Sequence, residues 1–271
     1  MVVFVVCILL SIFSLGFPQG TQAQSSDYQV INVTNGGTIR GTVKWSGPEP
    51  KGLTFPVTKD PAICDPGNTK KVDLERLVLG PDDGVANTVV FLKNIHSGKA
   101  MDVSQNKPLL NQKQCRYEPH ITLVPRNSDL QMKSSDATLH TIHMEGAATY
   151  NLPFPFVNQV TSRPMNNAGE VSLKCNGGHV WMNAEVFVIE HPYYAVTDTS
   201  GRFELTGVPP GEYEIEAWHE GWNIAGRQAA FDVLTEHKVE RPIFTEPRKW
   251  DKSVSVSGGG TSVVNFTISE K

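Results

Sequence analysis

Cys175, His179 and Met182 lie within eight residues of one another in the stretch KCNGGHVWM. Thiolate, imidazole and thioether are soft or borderline donors, and together they suit copper rather than magnesium or calcium. Two imidazoles and a thiolate with a weakly held thioether form the electron-transfer arrangement, so a second histidine must come from elsewhere. His120, His140 and His143 are the candidates. In LHTIHME, His140 shares strand parity with Ile142 and Met144, whereas His143 falls with Thr141 and Glu145 on the more polar side. Alternation across a strand therefore favours His140 as the inward ligand and keeps His143 in reserve. If all four ligands are protein groups, no position is left for a substrate, and the remaining chemistry is one-electron exchange. The chain is not expected to be an enzyme.

Strands must hold these groups. EVSLKC alternates, with Val171, Leu173 and Cys175 on one face, and AEVFVIE follows the NGGHVWM turn as an apolar strand. Upstream, residues 117–146 read as strand, turn, strand, turn, strand, with PRNSD and SSDAT as the turns. NTVVFLKNI (87–95) reads as a buried strand, and GGTIRGTVKWSGPEP alternates like an edge strand. Residues 56–86, 97–114 and 147–169 read as loop, and KSVSVSGGGTSVVNFTISE as a hairpin with a glycine-rich turn. With 18 prolines, 23 glycines and no long helical period, the chain is expected to be all-β.

The 271 residues suffice for one large or two small domains, and a formal charge of −4 with scattered charges argues against nucleic acid as a partner. Residues Val2 to Phe17 are almost wholly apolar and TQA precedes Gln24, so residues 1–23 read as a signal peptide cut between Ala23 and Gln24. Its n-region lacks Lys and Arg. An uncleaved anchor is the alternative, though the run is shorter than the ~20 residues a span requires. No later segment could span a membrane, so an exported protein, periplasmic or extracellular, is expected. In an oxidising compartment three remaining cysteines imply one disulfide and one thiol with another task. Cys64–Cys115 is the natural pair, which leaves Cys175 free. Pairing of Cys175 with either of them would remove the site.

Residues 87–190, with YEPHITLVPRNSDLQMKSSDATLHTIHM followed by C-x3-H-x2-M, resemble the cupredoxin family, whose fold is a Greek-key β-sandwich. The resemblance implies one type 1-like copper ion on His140, Cys175, His179 and Met182, and a redox partner protein. The spacing and SSDATLHT look most like the copper domain of cytochrome oxidase subunit two. Val171 stands where that family has its first bridging cysteine, so a mononuclear centre is expected. Thr141 stands where many mononuclear cupredoxins carry an Asn that braces the two ligand loops.

VTDTSGRFELTGVPPGEYEIEAWHEG is similar to the carboxypeptidase regulatory-like, transthyretin-like β-sandwich, with Gly201 and Gly211 at turns and Phe203 and Tyr213 in the core. Such modules are structural or adhesive, and carbohydrate is a conceivable ligand. The expected organisation is a signal peptide (1–23), an N-terminal strand and loop extension (24–86), a cupredoxin-like domain (87–190) and the small sandwich (191–271). If residues 36–55 supply that module's opening strands, it is discontinuous. A cell-surface scaffold with a structural or vestigial metal site is the alternative function. His219 and Glu220 in AWHEGW lack the second histidine of a zinc helix, because Asn223 occupies its place. They read as a solvated pair at a strand end, and His191 as packing at the domain junction.

Overall fold

The computed structural model describes residues 28–51, 53–103, 107–232, 236 and 238–270, and the expected signal peptide lies outside them. The regular structure of the described chain is almost wholly strand and forms two β-sandwiches. In the first, one sheet runs in the order Tyr150–Phe154, His140–Gly146, Gly169–Lys174, Asn183–Ile189, Ile121–Pro125. Its partner sheet runs Thr161–Met165, Ser128–Ser134, Leu109–Lys113, Arg116–Glu118. Alternation supplies the core between them: Leu110, Leu130, Met132, Ile142, Met144, Val171 and Val186 are all buried in one cluster. Each such side chain stabilises the fold by roughly 1.5–3 kcal/mol.

The second sandwich pairs the sheet Tyr194–Val196, Val89–Lys93, Gly211–His219, Arg248–Val256 with one built on Gly37–Ser46. Arg202–Val208 lies on one side of Gly37–Ser46, and Thr261–Val263 and Phe266–Ser269 pair in parallel along the other. Ile39, Val43, Leu92, Leu205, Ile215 and Phe266 fill its core. The sandwiches meet where Val89 and Trp218 of the second pack on Ile121, Phe187 and Ile189 of the first.

Several expectations are corrected. The strand Gly37–Ser46, expected at an edge, is paired on both sides. The strand at 87–95 is expected in the cupredoxin-like domain. Val89–Lys93 instead hydrogen-bonds to Gly211–His219 and Tyr194–Val196, because both its faces are covered in that sheet. Residues 147–169 hold two strands, Tyr150–Phe154 and Thr161–Met165, at sheet edges, where Pro153 and Pro164 lose no ladder bond. Leu109–Lys113, inside the expected loop 97–114, pairs in parallel with Ser128–Ser134, and only Leu110 supplies a strong inward apolar signal. The C-terminal stretch is no hairpin: Arg248–Val256 pairs with Gly211–His219, while the glycine-rich turn carries the chain to the opposite sheet.

A two-stranded ribbon, Ile224–Phe231 with Lys238–Phe244, leaves the second sandwich and lies against the first, where Ala230, Val239 and Phe244 pack on its core. Among the described residues, no helix is long and apolar enough to cross a membrane.

Candidate metal centre

His140 begins the strand His140–Gly146, and Cys175 directly follows Gly169–Lys174, its antiparallel neighbour. The next strand, Asn183–Ile189, closes the loop that carries His179 and Met182. The pleat continues into the loop, so Cys175 remains on the inward face of Val171 and Leu173 and is fully buried. Gly177 allows the tight return, since a Cβ there would lie 3.1 Å from the Leu139 carbonyl oxygen and 3.4 Å from Cys175 Sγ.

The chain thus brings His140, Cys175 and His179 together, with their ligand atoms within 4.8 Å of one another and all three buried. The two Nδ1 atoms are 3.1 Å apart, and Cys175 Sγ is 3.9 Å from His179 Nδ1. Met182 is buried on the same turn, its N–H donating to the His179 carbonyl at 3.1 Å. His143 points away and pairs with Glu145 at 2.8 Å, partly exposed. His120 is held elsewhere, against Glu220.

Each imidazole is gripped from outside. His140 Nε2 is 2.9 Å from Asp136 Oδ2, and His179 Nε2 is 2.9 Å from Asp60 Oδ2. A carboxylate accepts, so each Nε2 carries the proton and a neutral ring presents its Nδ1 lone pair inward. Two lone pairs facing each other across 3.1 Å beside a sulfur repel unless a proton or a cation lies among them. Soft sulfur with two imidazoles fits copper.

Backbone amides surround the sulfur. The N–H groups of Thr141 and Gly177 point at Sγ from 3.4 and 3.3 Å. Burial pushes the Cys175 thiol up, but hydrogen bonds and charge from His140 and His179 outweigh it and hold the thiol well below its usual range. Burial pulls His140 down, yet its bonds to Asp136 and Cys175 prevail and raise it to about 9. Thr141 also takes over the bracing role: its Oγ1 accepts from the Asn176 N–H at 2.6 Å, tying one ligand segment to the other.

The walls come from the ligand loop itself and from distant segments. Cys64 and Cys115 form a disulfide whose sulfurs lie within 4.8 Å of a His179 ring nitrogen, spent as ligands but filling space beside it. Trp181 meets the His179 ring edge-on at 5.5 Å and donates to the Cys115 carbonyl at 3.1 Å. From the ribbon, Arg241 donates to the Cys175 carbonyl at 2.7 Å and to Asn176 Oδ1 at 3.1 Å. Asp232, directly after the ribbon strand Ile224–Phe231, accepts from Lys59 at 2.6 Å, next to Asp60.

Asp60, Asp136 and Arg241 lie outside the ligand motif. Only Asp136 leaves a signal in the sequence, four residues before His140 in the SSDAT turn. Asp60 is 119 residues from its histidine, and Arg241 sits on a ribbon whose position only the fold reveals.

His219 and Glu220, expected to be solvated, are both fully buried between the sandwiches. Glu220 pairs with Arg76 and with His120 there. His191 is buried among the rings of Tyr28, Tyr193 and Tyr194.

A family model described as BOS complex subunit NOMO1-like, second beta sandwich domain, matches residues 190–243, which run from the second sandwich into the ribbon. No curated protein matches the chain. Among solved structures the chain is similar to a copper-containing nitrite reductase of Thermus scotoductus SA-01, at 13% identity and TM-score 0.30. That match covers 35% of this chain and 25% of the reductase, so the chain spans a quarter of that protein. It is also similar to a purple cupredoxin from Nitrosopumilus maritimus (14% identity, TM-score 0.27, 30% of this chain and 99% of that one). A third likeness is to amicyanin from Paracoccus versutus (16% identity, TM-score 0.28, 32% of this chain and 86% of that one). All three likenesses are partial.

Proposed function

We propose that this chain is an exported protein that holds one copper ion and carries single electrons between redox partners. The observation that carries this reading is the convergence of His140 Nδ1, His179 Nδ1 and Cys175 Sγ in a buried pocket. A copper ion bound there supplies one-electron exchange between Cu(I) and Cu(II). His140 and His179 offer nitrogen, Cys175 offers thiolate, and Met182 is the outer, weakly held donor. The surrounding β-sandwich, disulfide and Trp181 keep these groups in one arrangement, which limits the reorganisation that accompanies a change of oxidation state. The Thr141 and Gly177 amides stabilise negative charge on the sulfur and so tune the potential.

Adding Cu(II) to the purified protein tests this directly. The expected result is one ion per chain and an intense thiolate-to-copper absorption that Cys175→Ser abolishes. Met182→Leu should retain the ion with an altered spectrum.

A second reading draws on the match of residues 190–243 to a β-sandwich module. In that reading the second sandwich is a scaffold that binds a protein or glycan, and the metal pocket is structural. Full folding without coloured copper uptake would favour it.

A further inference from the structure

We infer that Asp60 and Asp136 are positioning residues of the copper centre: paired from outside with the two imidazoles, they fix which ring nitrogen faces the ion and bias the site toward Cu(II). The inference deepens the copper reading and rests on it.

The two carboxylates reach equivalent atoms from unrelated parts of the chain. Asp136 lies in the turn before the His140 strand and is itself nearly buried. It accepts from the Gln114 and Cys115 N–H groups at 2.7 and 2.8 Å, so it is aimed before it meets His140 Nε2. Asp60 stands at the start of the short turn Pro61–Cys64 that the disulfide fastens to the same region. It accepts from Thr138 Oγ1 at 2.7 Å, and its neighbour Lys59 is pinned by Asp232, directly after a ribbon strand. His179 is fully buried, so the outer nitrogen of this ring meets Asp60 where another fold could leave it to solvent.

Two consequences follow from elementary chemistry. A neutral imidazole has one N–H, and a carboxylate at Nε2 claims it, which leaves Nδ1 as the ligand atom on both rings. A carboxylate also raises the donor strength of the ring it holds and places negative charge near the ion. Both effects favour the dication over the monocation. Asp136 is the less screened of the two, because its side chain is 6% exposed and that of Asp60 is 33% exposed.

The test uses the full-length protein and its Asp60→Asn, Asp136→Asn and Asp60→Ala variants. Copper is loaded, and the ratio of Cu(II) to Cu(I) affinity is read from the reduction potential. Asp136→Asn is expected to shift that ratio toward Cu(I) by about tenfold, equivalent to about 59 mV upward. Asp60→Asn should shift it the same way by less. If Asp136→Asn does not fold, because a backbone N–H of Gln114 or Cys115 loses its acceptor, Asp60→Asn alone decides. Unchanged potentials in copper-binding variants would overturn the inference.

A second readout needs no copper. In the metal-free protein the His179 Nε2 proton should exchange slowly by NMR, and rapidly in Asp60→Ala. Equal exchange in both proteins would reject the positioning role whatever the copper result. Slow exchange without copper uptake would keep the positioning of the rings while defeating the copper reading and the bias that rests on it.

Discussion

Arg241 and Cys175 are 66 residues apart, yet the guanidinium donates to the Cys175 backbone carbonyl at 2.7 Å. The second sandwich thus reaches across, through its ribbon, to hold the chain at the proposed ligand itself. The same guanidinium brings a positive charge toward the thiolate, at the cost of its own burial. Replacing Arg241 by Met removes that charge and two hydrogen bonds, of a class worth about 1.5–3 kcal/mol each when one partner is charged. The expected outcome is a Cys175 thiol that ionises at higher pH, followed by ultraviolet thiolate absorbance, and a loss of about tenfold in copper affinity. Arg241→Lys should recover part of the thiol effect and little of the affinity, since an ammonium cannot reproduce the planar fork.

Gly178 joins the same ribbon to the ligand loop. Its φ is +91°, and a Cβ there would lie 2.6 Å from Asp232 Cγ and 2.9 Å from Lys59 Cδ. Gly178→Ala therefore combines backbone strain of order 1–3 kcal/mol with expulsion of the Lys59–Asp232 pair. Hydrogen exchange should accelerate in Ile224–Phe231 and Lys238–Phe244, while the core strands of the second sandwich keep their protection. An unchanged ribbon would show that Asp232 does not hold it down.

How far the sequence could be read depended on where each signal lay. Cys175, His179 and Met182 are local, so their spacing alone exposed them, and period-two alternation placed His140 on the face of Ile142 and Met144. Strand Val89–Lys93 has no such mark: an apolar run says that both faces are covered but not by which sheet. The partners of the histidines depend on loops and a ribbon that meet only in three dimensions. Glu220 shows the opposite failure. A charged residue beside a histidine near a strand end reads as solvated, and only the approach of Arg76 and His120 makes its burial tolerable.

The disulfide bears on stability and on the site together. Cys64 and Cys115 are 51 residues apart in sequence, and closing such a loop is worth roughly 4 kcal/mol in the chain-entropy treatment. The double Cys64→Ser, Cys115→Ser variant should lose about that much in urea denaturation. Because the pair also packs beside His179, copper should bind more weakly in the variant while the thiolate-to-copper band keeps its position. A variant as stable as the parent would mean that the native contacts, not the link, hold Asp60 near its histidine.

Glu185 gives the fold a pH dependence separate from the metal centre. Burial, then repulsion from Glu220, raises its carboxyl from 4.5 to about 8. One guanidinium serves both acids: Arg76 pairs with Glu220 and lies 3.9 Å from Glu185. Between about pH 4.5 and 8 the folded chain keeps a proton that the unfolded chain has released, so this group's contribution falls as pH rises. The slope is at most about 1.4 kcal/mol per pH unit. Glu185→Gln keeps a neutral group of the same shape and removes the slope. Urea midpoints measured across this range should therefore show the variant gaining on the parent with each step toward alkaline pH, and levelling off above about 8. A constant difference would mean that Glu185 is already ionised in the fold and that Arg76 neutralises both carboxylates.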